Sequence, residues 1–543
     1  MKKNGFVEGT FIATFAIIIV KVLGALYVIP FYRIIGESGG ALYSYAYNVY
    51  NLFLNISTAG IPIAISKIIS EYNTLEMYEA KERAYKLGRN IILIISVIAF
   101  FMLFVFSKEF ASLILGEIKG GNTLDDVSFV IKCVSFCLLI IPFLSVSKGY
   151  LQGHKYITPS SISQVIEQVV RIAVLLMGSY IVINILNKSV TLGVGVSVFA
   201  AFVGGCSAYL YIKIKMIKNK SAFPTKDTKD NVSNKEILKK IFNYSIPIII
   251  VSVATDIYSL TDMTLVVRTS YKLGYTAKEA ELIASIISTW APKICMIINA
   301  VAIGMGTSLI PHMVSSYTKK DYTSSNKRFN EALRIIIVST LPLAVGLAFL
   351  SEPVYTLFYG NNTYGTLVLR YTSISSFFAS IYIVISLSLQ SLNKFKTVYI
   401  SSIMGFLINA LLDVPLMHLF NLMGLEAFYG AILATILGYV FSYIYSLTSL
   451  KRSMNFNYSE TLDTIKKVFL PIASMFIVLV ILNLFVKLPT NGIMRMCLVL
   501  GLYTLLGAFV YLGISYKTGL LYEVFGKDYV DNLLRKLHLK RRL

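Results

Sequence analysis

The feature that most constrains this chain is a series of about fourteen apolar stretches, each long enough to cross a bilayer as a helix and separated by short polar connections. Hydrocarbon cannot satisfy backbone N–H and C=O groups, so such stretches form helices. We place them at 9–31, 43–66, 90–107, 127–150, 161–184, 190–212, 241–267, 283–310, 330–350, 367–390, 397–418, 427–449, 468–486 and 494–515. The first stretch lacks a small-residue cleavage site, and we expect it to remain as an uncleaved span. The sequence predicts an all-α polytopic membrane protein.

Lysine and arginine are distributed unequally between the two sets of alternating connections. The set that includes both termini holds 36 of the 50 basic residues, and the opposite set holds 10. The positive-inside rule therefore predicts cytoplasmic N- and C-termini. The formal net charge of +22 would suggest a nucleic-acid partner in a soluble protein. Here it is explained by the cytoplasmic face of a membrane protein, and we expect no nucleic-acid partner.

An internal repeat accompanies the spans. A shift of 245 residues superposes the segment from Ser70 to Ile92 on that from Ser315 to Ile337, with six identical positions that include Arg89 with Arg334. A second echo pairs LQGHKY, from Leu151, with LQSLNKF, from Leu389. Both indicate a period of six spans. Because six is even, the halves would enter the membrane from the same side and enclose a central cavity.

The repeat predicts a 6 + 6 + 2 organisation with five segments. They are a six-helix repeat at 1–212, a basic cytoplasmic linker at 213–240, a second six-helix repeat at 241–450, two additional spans at 451–515, and a basic amphipathic tail at 516–543. The tail could lie on the anionic inner leaflet or remain solvated.

Motifs for catalysis are missing from the sequence. There is no P-loop and no H-E-x-x-H, and the four histidines are far apart in the chain. An integral glycosyltransferase or polymerase usually needs a sizeable outer loop, whereas the outer connections here are short. We therefore expect no catalytic residue, metal or cofactor. A secondary transporter is favoured over an enzyme.

Several ionisable groups nevertheless fall inside the spans, where each costs about 2.5–3.5 kcal/mol on insertion scales. Lys21 shares a helical face with Thr10, Thr14, Ile17, Gly24, Ala25 and Val28, which predicts that it points into the protein. Asp256 shares a face with Ser252 and Ser259, and Lys293 follows Pro292, where a bend is expected. One interpretation is a water-filled cavity whose lysines attract an anion. The other is internal salt bridging, such as Asp256 with Lys293.

The remaining in-span charges favour structural roles. Glu167 and Arg171 are spaced i, i+4, which predicts an ion pair within one helix. Asp262 lies on a different face from Asp256, near Tyr258, and Asp262 and Arg268 are further candidates for a structural or coupling role. For Asp413, a location at a helix end would explain the charge.

Three segments resemble the multidrug/oligosaccharidyl-lipid/polysaccharide (MOP) exporter superfamily. They are KVLGALYVIPFYRIIG from Lys21, STAGIPIAISKIISEY from Ser57, and GYLQGHKYITPSSISQVIEQVVRI from Gly149. Within the superfamily the chain is most similar to the polysaccharide-transporter branch that holds stage V sporulation protein B and the MurJ-type lipid II flippases. The resemblance covers essentially the whole chain and implies a MATE/MurJ-like fold.

The resemblance also implies a set of substrate-binding residues. In MurJ-type proteins basic residues of spans one, two and eight line the cavity. Lys21 stands at the first of these positions, Asn55 or a neighbour replaces the second-span arginine, and Lys293 supplies the eighth-span charge. Tyr27 and Val28 stand where an Arg-Asp pair would be. With Asp256, the expected substrate-binding set is Lys21, Asn55, Asp256 and Lys293.

The implied function is that of a cell-membrane flippase for an undecaprenyl-pyrophosphate-linked saccharide, above all the peptidoglycan precursor lipid II, in cell-wall biogenesis, cell shape or sporulation. Alternating access would move the substrate from the inner to the outer leaflet. A coupling ion and cell-wall synthesis proteins are candidate partners. The alternatives are a cation-coupled multidrug or other polysaccharide-lipid exporter of the same fold, an envelope polymerase, and a non-transporting scaffold.

Overall fold

The computed structural model describes residues 6–220, 223 and 232–536, and these form helices joined by short turns. The described residues are 88% helical, and no strand occurs among them. The all-α prediction is therefore confirmed. Residues 1–5, most of 221–231, and 537–543 lie outside the described residues, so the predicted linker and tail are described only in part.

Contacts divide the chain into two compact units, residues 1–288 and 289–543. The helices of the first unit are α1 (Phe6–Leu26), α2 (Val28–Thr58), α3 (Ile61–Thr74), α4 (Tyr78–Val105), α5 (Ser107–Leu115), α6 (Leu124–Ser135), α7 (Ile141–Gly153), α8 (Ile157–Tyr180), α9 (Val190–Lys218), α10 (Asn234–Lys272) and α11 (Ala277–Ser285). A 3₁₀ segment, Phe136–Leu139, joins α6 to α7, and a π-helical segment, Ile181–Ile185, extends α8.

The second unit contains the remaining helices. They are α12 (Ala291–Thr318), α13 (Tyr322–Phe349), α14 (Ser351–Tyr359), α15 (Thr363–Ser391), α16 (Phe395–Leu422), α17 (Phe428–Met454), α18 (Ser459–Phe485), α19 (Ile493–Lys517), α20 (Leu520–Phe525) and α21 (Lys527–Lys536). A π-helical segment, Ile286–Trp290, connects α11 to α12. The predicted division at residues 212, 240, 450 and 515 stays a prediction, because a contact boundary at Ser288 does not test it.

Thirteen helical segments in the described residues are long and apolar enough to span a membrane. The shorter apolar part of α1, Phe15–Leu26, accounts for the remaining predicted span. About fourteen spans is therefore compatible with the structure. The chain turns at Tyr27, and the helical geometry breaks at Gly36, whose φ of 65° and ψ of −172° suit glycine.

The internal repeat is visible in the backbone. α4 and α13 each have 28 residues, and α5 and α14, which follow them, each have 9. The turns that precede α4 and α13 carry Glu76 and Lys320 at φ of 58° and 57°. These elements correspond at a shift of 244 residues, so the ungapped match at 245 is one residue out of structural register. The identity of Arg89 with Arg334 is therefore not a structural equivalence.

The second sequence echo does match the backbone. Lys155 and Asn393, 238 residues apart, both have positive φ, at 66° and 54°. In each turn a backbone N–H bonds five residues back, from Tyr156 to Leu151 and from Lys394 to Leu389. The same turn therefore follows the fourth and tenth spans, which agrees with a period of six spans.

The segment GYLQG, at 149–153, lets two helices of the first unit approach closely. A Cβ on Gly149 would lie 2.4 Å from the carbonyl oxygen of Pro62, and one on Gly153 would lie 2.7 Å from that of Ser66. The two glycines are one turn apart on α7 and both face α3. This is the small-residue packing common between membrane helices, and it explains why this segment needs two glycines.

Candidate functional site

Lys21 lies on α1, which packs against α8 in the first unit. One turn later on α1, a Cβ at Gly24 would lie 3.5 Å from the Gln168 side-chain nitrogen. Val28 is 1% exposed, whereas Ile17 is 44% exposed, so among the described members of the predicted inward stripe the later part is the better packed. The side chains of Thr10 and Thr14 lie outside the described set. Lys21 itself is half-buried and forms no hydrogen bond or ion pair with another described residue.

The structure brings two of the predicted substrate-binding residues together. Asn55 Nδ2, on α2, donates a 2.7 Å hydrogen bond to Asp256 Oδ2, on α10. Both side chains are half-buried, so the amide and the carboxylate can be reached by solvent or ligand. The pair joins the second and seventh spans by one charge-assisted hydrogen bond.

Other polar side chains of α2 and α10 form a hydrogen-bonded network with Ser288, in the π-helical segment Ile286–Trp290. Ser259 Oγ donates to Asn48 Oδ1 at 2.9 Å, and the amide of Asn48 donates to the Ser44 carbonyl at 2.9 Å. The Ser44 and Ser288 hydroxyls are 3.0 Å apart. Sequence reasoning identified Ser259 but missed Ser44 and Asn48. Their spacing with Asn55, at i, i+4 and i+11, places all three on one face of α2 and was the signal that could have found them.

Asp262 and Arg268 have different environments. Asp262 is 6% exposed and lies within α10. Arg268 reaches the C-terminal end of α5, where its guanidinium donates to the carbonyls of Ser112 at 2.7 Å and Ile114 at 3.2 Å, and also to that of Leu113. A cation at a helix C-terminus satisfies the last carbonyls and complements the helix dipole. Arg268 thus has a structural contact as the cap of α5.

The expected ion pair between Glu167 and Arg171 is not formed. Glu167 Oε2 instead accepts from Lys148 Nζ, on α7, at 2.8 Å. Arg171 points to tyrosines of α2, with its NH2 group 3.4 Å from Tyr43 Oη and its Cζ 5.8 Å from the Tyr47 ring centre. The intrahelical prediction was wrong because a lysine on the neighbouring helix competes successfully for the carboxylate.

Lys293 belongs to the second unit. Its ammonium lies 4.3 Å from the centre of the fully buried Trp290 ring, within range of a cation–π interaction. Tyr359 Oη donates to the Trp290 carbonyl at 2.8 Å and so fixes the segment before Lys293. The irregularity expected at Pro292 lies just before it, as the π-helical turn Ile286–Trp290.

The structure places Asp413, a charged residue within the eleventh predicted span, differently from the expectation. It lies well inside α16, with 0% exposure, and Asn409 one turn earlier is also 0% exposed. The expectation of a helix-end location was therefore wrong.

The described residues contain no group of three or more His, Cys, Asp or Glu side chains arranged to hold a metal ion.

Comparison with known families agrees with this architecture. The family model described as "Polysaccharide biosynthesis protein" matches residues 6–317, more than half of the chain. The chain belongs to the polysaccharide biosynthesis protein family. A second family model, MatE, matches residues 247–414.

Relatives of this family member include well-covered proteins of Bacillus subtilis (strain 168). The chain is 33% identical to "Lipid II flippase MurJ" over 96% of both sequences. It is 22% identical to "Stage V sporulation protein B" over 67% of this chain and 68% of that protein. The MOP superfamily membership implied by the sequence resemblance is confirmed.

Solved structures show that this family member shares its fold with both branches of the superfamily. "Lipid II flippase MurJ, inward closed conformation" aligns with a TM-score of 0.65 and 19% identity, covering 94% of this chain and 99% of that one. An inward-facing multidrug resistance MATE family transporter aligns with a TM-score of 0.63 and 16% identity, covering 80% and 96%. The predicted MATE/MurJ-like membrane fold is confirmed, and the protein is a multi-pass membrane protein.

Proposed function

We propose that this protein is a flippase that moves an undecaprenyl-pyrophosphate-linked saccharide, lipid II, from the inner to the outer leaflet by alternating access. The observation that carries the proposal is the 33% identity to the lipid II flippase of Bacillus subtilis over 96% of both chains. The task breaks and forms no covalent bond, so the protein is proposed to be a transporter and not an enzyme.

The proposed substrate-binding residues are Lys21, Asn55, Asp256 and Lys293. A cation inside the membrane is costly unless an anion or water compensates it. Lys21 is half-buried and has no ion pair among the described residues, so a phosphate oxygen can serve as its counter-charge. The Asn55–Asp256 pair adds hydrogen-bonding groups that suit the saccharide, whose hydroxyl and amide groups can donate to a carboxylate.

Transport against a concentration difference needs an energy source, and buried carboxylates are candidate sites for a coupling ion. Asp262 is 6% exposed in α10, and Asp413 is 0% exposed in α16. Such groups within spans commonly mark ion or proton pathways. We propose that at least one of them exchanges a cation or proton during the cycle.

We propose the orientation of the protein in the membrane from the distribution of its lysine and arginine residues alone. The excess of 36 over 10 basic residues on one side favours cytoplasmic N- and C-termini. The loops after α3 and α9 would then face the cytoplasm. Labelling of single cysteines introduced at Glu76 and Glu117 from outside intact cells would modify only the second.

The function is tested by depleting the protein in a strain without another flippase and measuring lipid II at the outer leaflet. We expect surface lipid II to fall and inner lipid II to accumulate. Re-expression of the Lys21→Gln variant should restore less transport than the exposed control Lys119→Gln. Unchanged lipid II at the surface after depletion would exclude the proposed function and favour a multidrug exporter, polymerase or scaffold.

A further inference from the structure

Arg171 is a membrane-embedded arginine in the middle of α8, half-buried and in contact with an aromatic surface. Its guanidinium lies 5.8 Å from the Tyr47 ring centre and 3.4 Å from Tyr43 Oη. The Tyr43 and Tyr47 rings stack with centroids 5.4 Å apart. These contacts orient the guanidinium but supply no negative charge.

The acid that could neutralise Arg171 is held elsewhere. Glu167, one turn earlier on the same helix, forms a 2.8 Å ion pair with Lys148, and both side chains are largely covered, at 23% and 15% exposed. Arg171 forms no ion pair with any carboxylate in the described part of the chain. The first unit therefore contains a guanidinium inside the membrane whose counter-charge must come from outside this local structure.

The backbone beneath Arg171 is fixed by close helix packing. A Cβ on Gly204, in α9, would lie 2.6 Å from the Glu167 carbonyl oxygen and 3.1 Å from Arg171 Cβ. α8 and α9 therefore meet at van der Waals distance at this level, which restricts how Arg171 can move. A cation on a rigid element is better suited to hold a ligand than one on a mobile loop.

Arg171 and Lys21 lie on two helices that pack against each other. Gly24 and Gln168 mark the contact between α1 and α8. Lys21 precedes Gly24 by one turn and Arg171 follows Gln168 by one turn. As first and fifth spans, the helices run in the same direction, so the two residues are offset by about 9 Å along the helix axes.

We propose that Arg171 is a further binding residue for the substrate, taking an oxyanion of the transported molecule in the planar, bidentate manner of a guanidinium. The inference deepens the proposed flippase function and rests on it. Two oxyanions could serve, the pyrophosphate and a carboxylate of the saccharide-peptide head. The offset of about 9 Å from Lys21 favours the carboxylate, because Lys21 and Arg171 would then hold different parts of one substrate.

The test measures binding of three probes to the full-length protein in nanodiscs by native mass spectrometry. The probes are lipid II, lipid II with its peptide carboxylates amidated, and undecaprenyl pyrophosphate. The variants are Arg171→Gln, Arg171→Lys, and Arg33→Gln as a matched control at an exposed arginine. Thermal unfolding of each variant reports whether the fold is retained.

We expect Arg171→Gln to weaken lipid II binding about tenfold or more, which is the effect of losing one charge-assisted contact. Arg171→Lys should recover part of the loss, and Arg33→Gln should bind as the unmodified protein does. If Arg171→Gln weakens binding only of lipid II with free carboxylates, the oxyanion is a carboxylate of the saccharide-peptide head. If it weakens binding of all three probes equally, the oxyanion is the pyrophosphate.

Two results would overturn the proposal, and they are distinguishable. If the unmodified protein binds lipid II and a folded Arg171→Gln variant binds every probe equally well, Arg171 is not a substrate ligand while the flippase proposal stands. A folded Arg171→Lys variant that binds as tightly as the unmodified protein would exclude the bidentate contact. If the unmodified protein binds none of the three probes, the proposed function and this inference both fail.

Discussion

Asn55 and Asp256, 201 residues apart in the chain, are joined by a 2.7 Å hydrogen bond between the second and seventh spans. The sequence pointed to each residue separately. Asn55 stands where MurJ-type proteins have a basic residue in the second span, and Asp256 shares a helical face with two serines. Their contact gives the acid a donor without neutralising its charge. It also keeps both groups oriented for a ligand.

We expect Asn55→Leu to reduce transport and to destabilise the protein by about 1–3 kcal/mol, because it leaves a partly buried carboxylate without its donor. Thermal unfolding of the purified protein and outer-leaflet lipid II measure the two effects. The double variant Asn55→Leu/Asp256→Asn should lose little more transport and stability than either single variant, because both substitutions break the same hydrogen bond. Fully additive effects would show that the pair does not act as a unit; the exposed Asn421→Leu is the control.

The ion pair between Lys148 and Glu167 keeps Glu167 away from Arg171. We expect Lys148→Met to reduce transport, because the released carboxylate can then turn to Arg171, four residues later on the same helix. The double variant Lys148→Met/Glu167→Gln should transport better than Lys148→Met alone. Equal transport by the single and double variants would contradict this explanation.

Arg334 ties α13 to α18 and to the short helix α20. It donates to Thr464 Oγ1 at 2.8 Å and forms ion pairs with Glu460 at 3.2 Å and Glu523 at 3.7 Å. We expect Arg334→Ala to cost about 1 kcal/mol and to increase hydrogen–deuterium exchange in α18 and α20. Arg328→Ala is the matched control, since among the described residues Arg328 pairs only with an i+3 neighbour at the surface. An exchange pattern identical to that of the control would rule out this role.

Close packing at Gly149 predicts strong sensitivity to a single methyl group. We expect Gly149→Ala to destabilise the protein by about 1–3 kcal/mol, because its Cβ would lie 2.4 Å from the Pro62 carbonyl oxygen and α7 must shift from α3. Gly346→Ala, in α13, meets nothing within 4 Å and should be neutral or stabilising by about 0.5–1 kcal/mol. The unfolding temperature should fall for Gly149→Ala and stay unchanged or rise for Gly346→Ala, and a fall of equal size in both would refute the packing argument.

The candidate site was partly predictable from residue types. Charged groups inside apolar stretches are visible in the sequence, and this is how Lys21, Asp256 and Lys293 were found. Ser44 and Asn48 were missed because single small polar residues are common in membrane helices, so only their i, i+4 and i+11 spacing with Asn55 distinguishes them. Asp413 was placed at a helix end because the boundaries of neighbouring apolar stretches are indistinct, whereas the structure gives it a buried position within α16.

The sequence by itself determined the spans and the all-α class, because a bilayer leaves an apolar stretch of twenty residues no alternative to a helix. It also placed the two glycines of GYLQG one turn apart. Only the tertiary structure decided which charges meet. Glu167 could pair with Arg171 on its own helix or with Lys148 on α7. The choice depends on distances between side chains of different helices, and the spacing of residues along one helix does not reveal those distances.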